Sequence, residues 1–416
     1  MRQGAAARDG SFDDTWRNKR KATAVKIDSV DFFYVAMPVV TTDADGSQDA
    51  LVVRVSAGGH VGWGECEASP LASIAAFVTP MSHGACQPVS ASVLGQVLDG
   101  PDDIRRMSAA LAYNSMDLLQ AAHTWSGIEM AMWDLLGHAR GEPTWRLLGY
   151  ERAYPKTPYA SVLFGTTPDQ TLERARRIRA DGFRAAKFGW APFGDSLAGD
   201  IAQLDAAREG LGPDGILLID AGQIFNEDVD AAAARLEAME RNRVTFFEEP
   251  FHGSAYAAYA GLAERTRTGT VKTAGGEAAH NRHMAEHLID FGHVGYVQID
   301  CGRIGGLWPA RQVADYAVKR GVTYINHTFT SNLALSASMQ PFAGLESHRI
   351  CEYPTTLRQL AVDLTRNHIV PDGNGDIHVP DAPGLGIEVN PEALRQYRVD
   401  VEIKVGGKPI FTSPAV

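Results

Sequence analysis

The chain has little that would staple it, carry it across a membrane or bind it to a polyanion. Four cysteines are spread over 416 residues. None forms a C-x-x-C pair, and a chain of this length builds a core without disulfides. Cys66, Cys86, Cys301 and Cys351 therefore read as reduced thiols of a cytoplasmic protein. No apolar run approaches the roughly 20 residues of a membrane span. Basic residues are in deficit: 39 Lys and Arg face 50 Asp and Glu, a net charge of −11. That excludes a nucleic-acid binder working through phosphate contacts. It does not exclude an acidic ligand, because one local cation or metal outweighs the global field. What is present, 45% hydrophobic and 21% charged residues, fits an ordinary globular chain. The length allows a barrel of roughly 250 residues and a second domain.

Residues 1–24 are polar, Arg-rich and aperiodic. Asp9, Asp13 and Asp14 argue against a transit peptide, because such peptides avoid acids. A disordered tail is expected, with a start codon assigned too early as the alternative. From Lys26 the segments KIDSVDFFYVAM, ALVVRVSA and HVGWGE read as a three-stranded meander, interrupted by the polar loop PVVTTDADGSQD. Helical stretches are expected at 88–98, 102–113 and 125–140. Strands followed by helices predict a separate α+β domain over 25–150. Beyond it, eight β-like runs alternate with about seven helical intervals: YASVLFG, FRAAKFG, GILLIDAG, VTFFEEP, VKTAGGE, GYVQIDCG, VTYINHT and HRICEYP. This rhythm predicts the α/β class, with a (β/α)7–8 TIM-like barrel over 151–364. Residues 365–416 lose the rhythm and are expected to pack back on the N-terminal domain.

The acids fall in phase with the repeats. Asp220 ends GILLID, Glu248 ends VTFFE and Glu277 ends VKTAGGE, at intervals of one βα unit. Any one of them could be a helix cap. Three at the C-terminal ends of successive strands would converge where barrels of this kind place their active sites. Carboxylate oxygens with positions left open suit Mg²⁺. Asp300, His327 and Glu352 continue the series on the next three strands. A carboxylate beside an imidazole makes a general base, and a protonated Glu352 could donate a hydrogen bond to a developing oxyanion. Strand parity turns Cys301, Cys351 and Glu249 to the opposite face.

The set GFRAAKFG, LLIDAGQ, FFEEP, AGGE, QIDCGRIGG, INH and CEYP resembles the mandelate racemase branch of the enolase superfamily, and within it the acid-sugar dehydratases. The resemblance runs from about residue 25 to the end and implies an N-terminal capping domain over the barrel mouth. By position it implies Asp220, Glu248 and Glu277 as Mg²⁺ ligands and His327 with Asp300 as the base dyad. It implies Glu352 as the hydrogen-bond partner of the enediolate and Lys187 as the first lysine of a K-x-K motif. The second lysine, a base on the opposite face in the family, is here Gly189. Gly222 stands where many members have Asn. Arg303 stands where some branches place a catalytic lysine, and since arginine stays protonated a supporting role is expected. The capping loops are the expected specificity elements, and His252, His280 and Thr328 are candidates for substrate contact or for capping.

Racemisation needs groups on both faces, so Gly189 favours a dehydratase of an aldonate or aldarate, giving a 2-keto-3-deoxy acid. A racemase, epimerase or cycloisomerase, or an inactive barrel with a binding role, are the alternatives. The expected ligands are Mg²⁺ and a small carboxylate, with no nucleic-acid or membrane partner. The resemblance also implies a homo-oligomer.

Overall fold

The computed structural model describes residues 25–67 and 69–416. The tail expected over 1–24 lies outside the described residues. Strand β1 (Val25–Ala36) pairs antiparallel with β2 (Asp49–Ala57), and β2 with β3 (His60–Cys66). A two-residue strand, β4 (Val97–Leu98), adds to the start of β1, giving the order β3-β2-β1-β4. The helix expected over 88–98 does not form. A 3-10 turn, Val89–Ser92, is followed by β4. Two serines are poor helix formers, and the chain must turn at Gly95 to lay Val97 beside Lys26. Helices α1 (Pro70–Val78), α2 (Pro101–Asn114) and α3 (Ala121–Arg140) complete this unit.

Helix α3 is buried on every side from Thr124 to Gly137, because it packs on β2 and β3 and also meets the barrel. Its Glu129 carboxylate accepts the Leu307 and Trp308 N–H groups at 2.6 and 3.0 Å. Those amides open the barrel helix Leu307–Arg320, where negative charge is favourable.

Eight parallel strands follow, each overlapping one run read from the sequence. They are β5 (Thr157–Leu163), β6 (Ala185–Gly189), β7 (Ile216–Asp220), β8 (Val244–Glu248), β9 (Lys272–Gly275), β10 (Tyr296–Asp300), β11 (Thr323–His327) and β12 (Ile350–Pro354). Helices lie in the seven crossovers between them. In the helix Pro168–Ala180, for example, Thr167 caps the Gln170 N–H and Pro168 opens the first turn. Beyond β12 the chain returns to β1, where Ala36 donates to the Tyr397 carbonyl and Val399 to the Tyr34 carbonyl, both at 2.9 Å. The hairpin β13 (Glu402–Val405) and β14 (Lys408–Thr412) follows.

Inside the barrel, Tyr159, Ala185, Leu218, Phe246, Ala274 and Ile325 form an apolar plug distinct from the main core. Strand alternation then places Ser161, Lys187, Asp220, Glu248 and His327 one inward step above it. The polar layer stands on a dry floor, where electrostatic interactions are strong.

The hydrogen-bonded order runs β11-β10-β9-β8-β7-β6-β5-β12, so the neighbours β11 and β12 share no backbone ladder. Side chains close this seam. Tyr324 N–H donates to His348 Nδ1 at 2.8 Å, Glu352 N–H donates to Asn326 Oδ1 at 2.8 Å, and Thr328 N–H donates to Glu352 Oε2 at 2.8 Å. Asn326 Nδ2 also reaches the Glu352 carbonyl at 3.3 Å. Replacing Asn326 with Leu strands a buried N–H and C=O, and the expected loss is about 2–4 kcal/mol of stability. A lowered denaturation midpoint at unchanged slope checks this; an unshifted midpoint would show that the seam closes without Asn326.

Candidate active site

Register sets the level of each side chain. Asp220 lies beside both Gly189 and Glu248, and Asp300 lies beside His327. Two positions differ from the sequence expectation. β9 ends at Gly275, so Glu277 stands on the loop beyond it. Glu352 is in the middle of β12, because pairing with β5 continues to Pro354.

Lys187 is the hub. Its ammonium lies 2.7 Å from Glu352 Oε1, 3.0 Å from Glu248 and 3.6 Å from Asp220 Oδ2. Burial disfavours its charge, but Glu248 and Glu352 outweigh that and raise its pKa well above the lysine range. Ser161 donates to Glu352 Oε1 at 2.9 Å. His327 Nδ1 lies 2.6 Å from Asp300 Oδ2, and its Nε2 lies 3.1 Å from Glu277 Oε2. Gly302 N–H fixes the other Asp300 oxygen at 2.5 Å. Burial would lower the His327 pKa, yet Glu277, Glu352 and Asp300 push it up to about 10. Arg303 joins Glu277 at 3.0 Å to Glu67 of the capping unit at 3.1 Å. Against burial, His327 and Arg303 hold Glu277 down at about 2.

All five sequence-predicted carboxylates and the imidazole, together with Lys187, thus share one buried cluster. Asp220, Glu248, Glu277, Asp300 and Glu352 face three basic groups, Lys187, Arg303 and His327. Burial raises Asp220, and it raises Glu248 far above the carboxylate range, with neighbouring acids adding to it. Glu248 Oε2 is buried and accepts no hydrogen bond; its neighbouring charge is the Lys187 ammonium at 3.0 Å. Among the described residues, no group of three or more His, Cys, Asp or Glu stands converged as a cation cage, and the Lys187 ammonium lies between the acids. The donor chemistry nonetheless fits a hard divalent cation. It is all oxygen, it is short of positive charge, and it holds a buried oxygen that accepts no hydrogen bond.

Gly189 faces the same interior. A Cβ there would meet Asp220 Cβ at 2.9 Å and Asp220 Oδ2 at 3.1 Å, so a second lysine has no room while Asp220 holds its place. Gly222 (φ +54°) is explained by Trp190, whose indole a Cβ would strike at 2.8 Å. Trp190 itself has φ +65°, uncommon for so bulky a residue and frequent at ligand sites.

The cluster opens into a cavity of about 460 Å³, bordered by Lys187, Asp220, Glu277, His327 and Glu352 and walled by Trp190 and the loop around Asp43. A larger cleft of about 850 Å³ lies beside the C-terminal segment, near Phe183, Tyr353 and Val370, and touches none of these groups. The other candidates lie outside the cavity. His252 accepts the Ser254 N–H, and His280 pairs with His123 at 3.0 Å. Thr328 serves the seam. Glu249 is held by Gln223 at 2.8 Å. The four thiols are unpaired, and Cys301 and Cys351 are buried. The sequence reading passed over Glu67, Ser161 and Trp190. Glu65 and Glu67 share strand parity, and that was a usable signal for Glu67; Trp190 had none, because its position depends on a rare backbone conformation.

The comparisons agree with this fold. Residues 28–149 match the family described as mandelate racemase / muconate lactonizing enzyme, N-terminal domain, and residues 170–393 match enolase C-terminal domain-like. The chain is 30% identical to a D-galactarolactone cycloisomerase of Agrobacterium fabrum, over 82% of this chain and 89% of that one. It is 28% identical to a D-gluconate dehydratase of Thermoproteus tenax, over 95% and 78%. A solved structure from Rhodobacter sphaeroides, titled a predicted mandelate racemase, superposes with a TM-score of 0.90 at 63% identity, covering 94% of this chain and all of that one. The chain belongs to the enolase superfamily, in its mandelate racemase / muconate lactonizing enzyme branch.

Proposed function

We propose that the protein is a lyase that removes the proton α to the carboxylate of a sugar acid and expels the β-oxygen, giving a 2-keto-3-deoxy acid. The observation that carries this reading is the one-sided base. His327 and Asp300 form a tight pair on one wall, while the position across from it, Gly189, is bare and closed by Asp220.

Asp220, Glu248 and Glu277 would hold Mg²⁺. When bound, the ion supplies the positive charge that stabilises the dianion formed on proton loss. The residues do the rest. Asp300 accepts the hydrogen bond from His327 Nδ1–H and so fixes the tautomer, leaving Nε2 to remove the α-proton. Glu277 is the carboxylate that most raises His327, so the protonation of the base is tied to a residue that would hold the ion. Lys187, protonated by its surroundings, acts as a fixed cation beside the substrate carboxylate, and Glu352 faces the same oxygen. The imidazolium then donates its proton to the departing β-oxygen on the same face, so one residue serves both halves of a syn elimination.

A second reading shares these parts. In a sugar lactone the β-oxygen is held in a ring ester, and the same α-proton loss with ring opening would be a cycloisomerisation. The Agrobacterium relative, at 30% identity over most of both chains, favours keeping it.

His327→Asn is expected to lower kcat at least about 100-fold while circular dichroism and Mg²⁺ binding stay unchanged; near-normal turnover would remove His327 as the base. Glu248→Gln should weaken Mg²⁺ affinity at least about tenfold by calorimetry, and unchanged affinity would mean the cation sits elsewhere. Because burial raises the pKa of Glu248 well above the carboxylate range, and metal binding requires the deprotonated carboxylate, Mg²⁺ binding should release protons into a weak buffer. A titration without proton release would contradict the ligand set.

A further inference from the structure

We infer that the cavity accepts sugar acids with a single carboxylate and rejects aldarates, which carry one at each end. This rests on the reading of the protein as a sugar-acid lyase and narrows its substrate class.

The positive groups of the cavity are already committed to its own acids. Lys187 lies between Glu248 and Glu352, and Arg303 between Glu67 and Glu277. His327 is held by Asp300. One substrate carboxylate can be received there, by Lys187 and the cation that the acids are built to hold. A sugar-acid chain then extends away from the floor, toward the walls and rim. The only basic side chains among the described residues that line the cavity are Lys187, His327 and Arg303, and each already has acidic partners, so none is left free for a second carboxylate. The walls are Val162, Leu163, Ala191, Phe329 and the indole of Trp190, a residue still 42% exposed. They offer C–H and aromatic surface, suited to the C–H face of a sugar. A second carboxylate against them would lose its water and find no partner, which is costly.

The rim adds charge of the wrong sign. Thr42, Asp43 and Gly46 of the capping loop border the opening. The Asp43 carboxylate accepts from Thr41 Oγ1 at 2.8 Å and would accept hydroxyl protons from a neutral polyol end, while repelling an anion. Arg358, which holds the rim loop, is occupied by Asp45 at 2.7 Å and Asp43 at 3.0 Å and does not line the cavity. A lactone whose second carboxyl is tied up as an ester carries one charge and falls within the accepted class.

The test uses the full chain with Mg²⁺ and matched pairs of equal configuration, gluconate with glucarate and galactonate with galactarate, among a wider set of aldonates, lactones and aldarates. Turnover and α-hydrogen exchange are both scored. The best monocarboxylate should exceed every aldarate at least about 100-fold in kcat/KM. Thr42→Arg, a change at an exposed rim position, should raise the aldarate-to-aldonate ratio at least about tenfold by supplying the missing cation. An aldarate within tenfold of the best monocarboxylate overturns the inference and leaves the lyase reading standing. An unchanged ratio in Thr42→Arg overturns it as well, by placing the far end of the substrate away from this rim. If no sugar acid of either kind reacts or exchanges, the lyase reading fails and the inference fails with it.

Discussion

The structure depends on gathering more buried carboxylates at one end of a barrel than its own cations can neutralise. Lys187, Arg303 and His327 hold five acids together on a floor of apolar side chains. A buried charge cluster of this kind adds little to stability, and in a fold chosen for stability alone apolar residues would do better. Its presence makes sense as stored electrostatic potential. The site is short of positive charge, a deficit that the proposed divalent cation would relieve.

The rest of the chain holds that cluster still. Parallel register sets Asp220 against Glu248 and Asp300 against His327. The seam between β11 and β12 matters in the same way. The backbone ladder is missing there, the side chain of Asn326 replaces it, and the carboxylate of Glu352 is itself one of the closing bonds. Glu352 is therefore fixed by the closure of the barrel on one side and by Lys187 on the other. The capping unit reaches the same cluster through Glu67 and Arg303, while buried Glu129 anchors α3 to a barrel helix. Domain docking and site assembly are a single set of contacts.

Much of this was legible in the sequence because barrel geometry repeats. Each acid at a strand end recurs one βα unit later, and side-chain parity separates Asp300 from Cys301 and Glu352 from Cys351. What periodicity cannot carry stayed hidden. Residues 88–98 look helical by composition but turn at Gly95 to add a strand, an outcome decided by the edge of β1. Glu352 lies mid-strand because pairing continues past it. Glu67 is remote in sequence from every barrel acid. Lys187 was legible as a motif residue, but its three carboxylate contacts depend on how strands β6, β7, β8 and β12 meet. The loss of a lysine at Gly189 was visible, whereas its cause, the nearness of Asp220, required coordinates.

The central claim is that one base, on one face, handles the α-proton. The direct measurement is a partial reaction in D₂O with a sugar acid that the protein turns over, followed by recovery of the remaining substrate and NMR analysis of its α-carbon. The account predicts deuterium at that carbon, if any appears, with configuration wholly retained and no epimer. Accumulation of the deuterated epimer would contradict it, because it requires a second acid–base group on the face that Gly189 leaves bare.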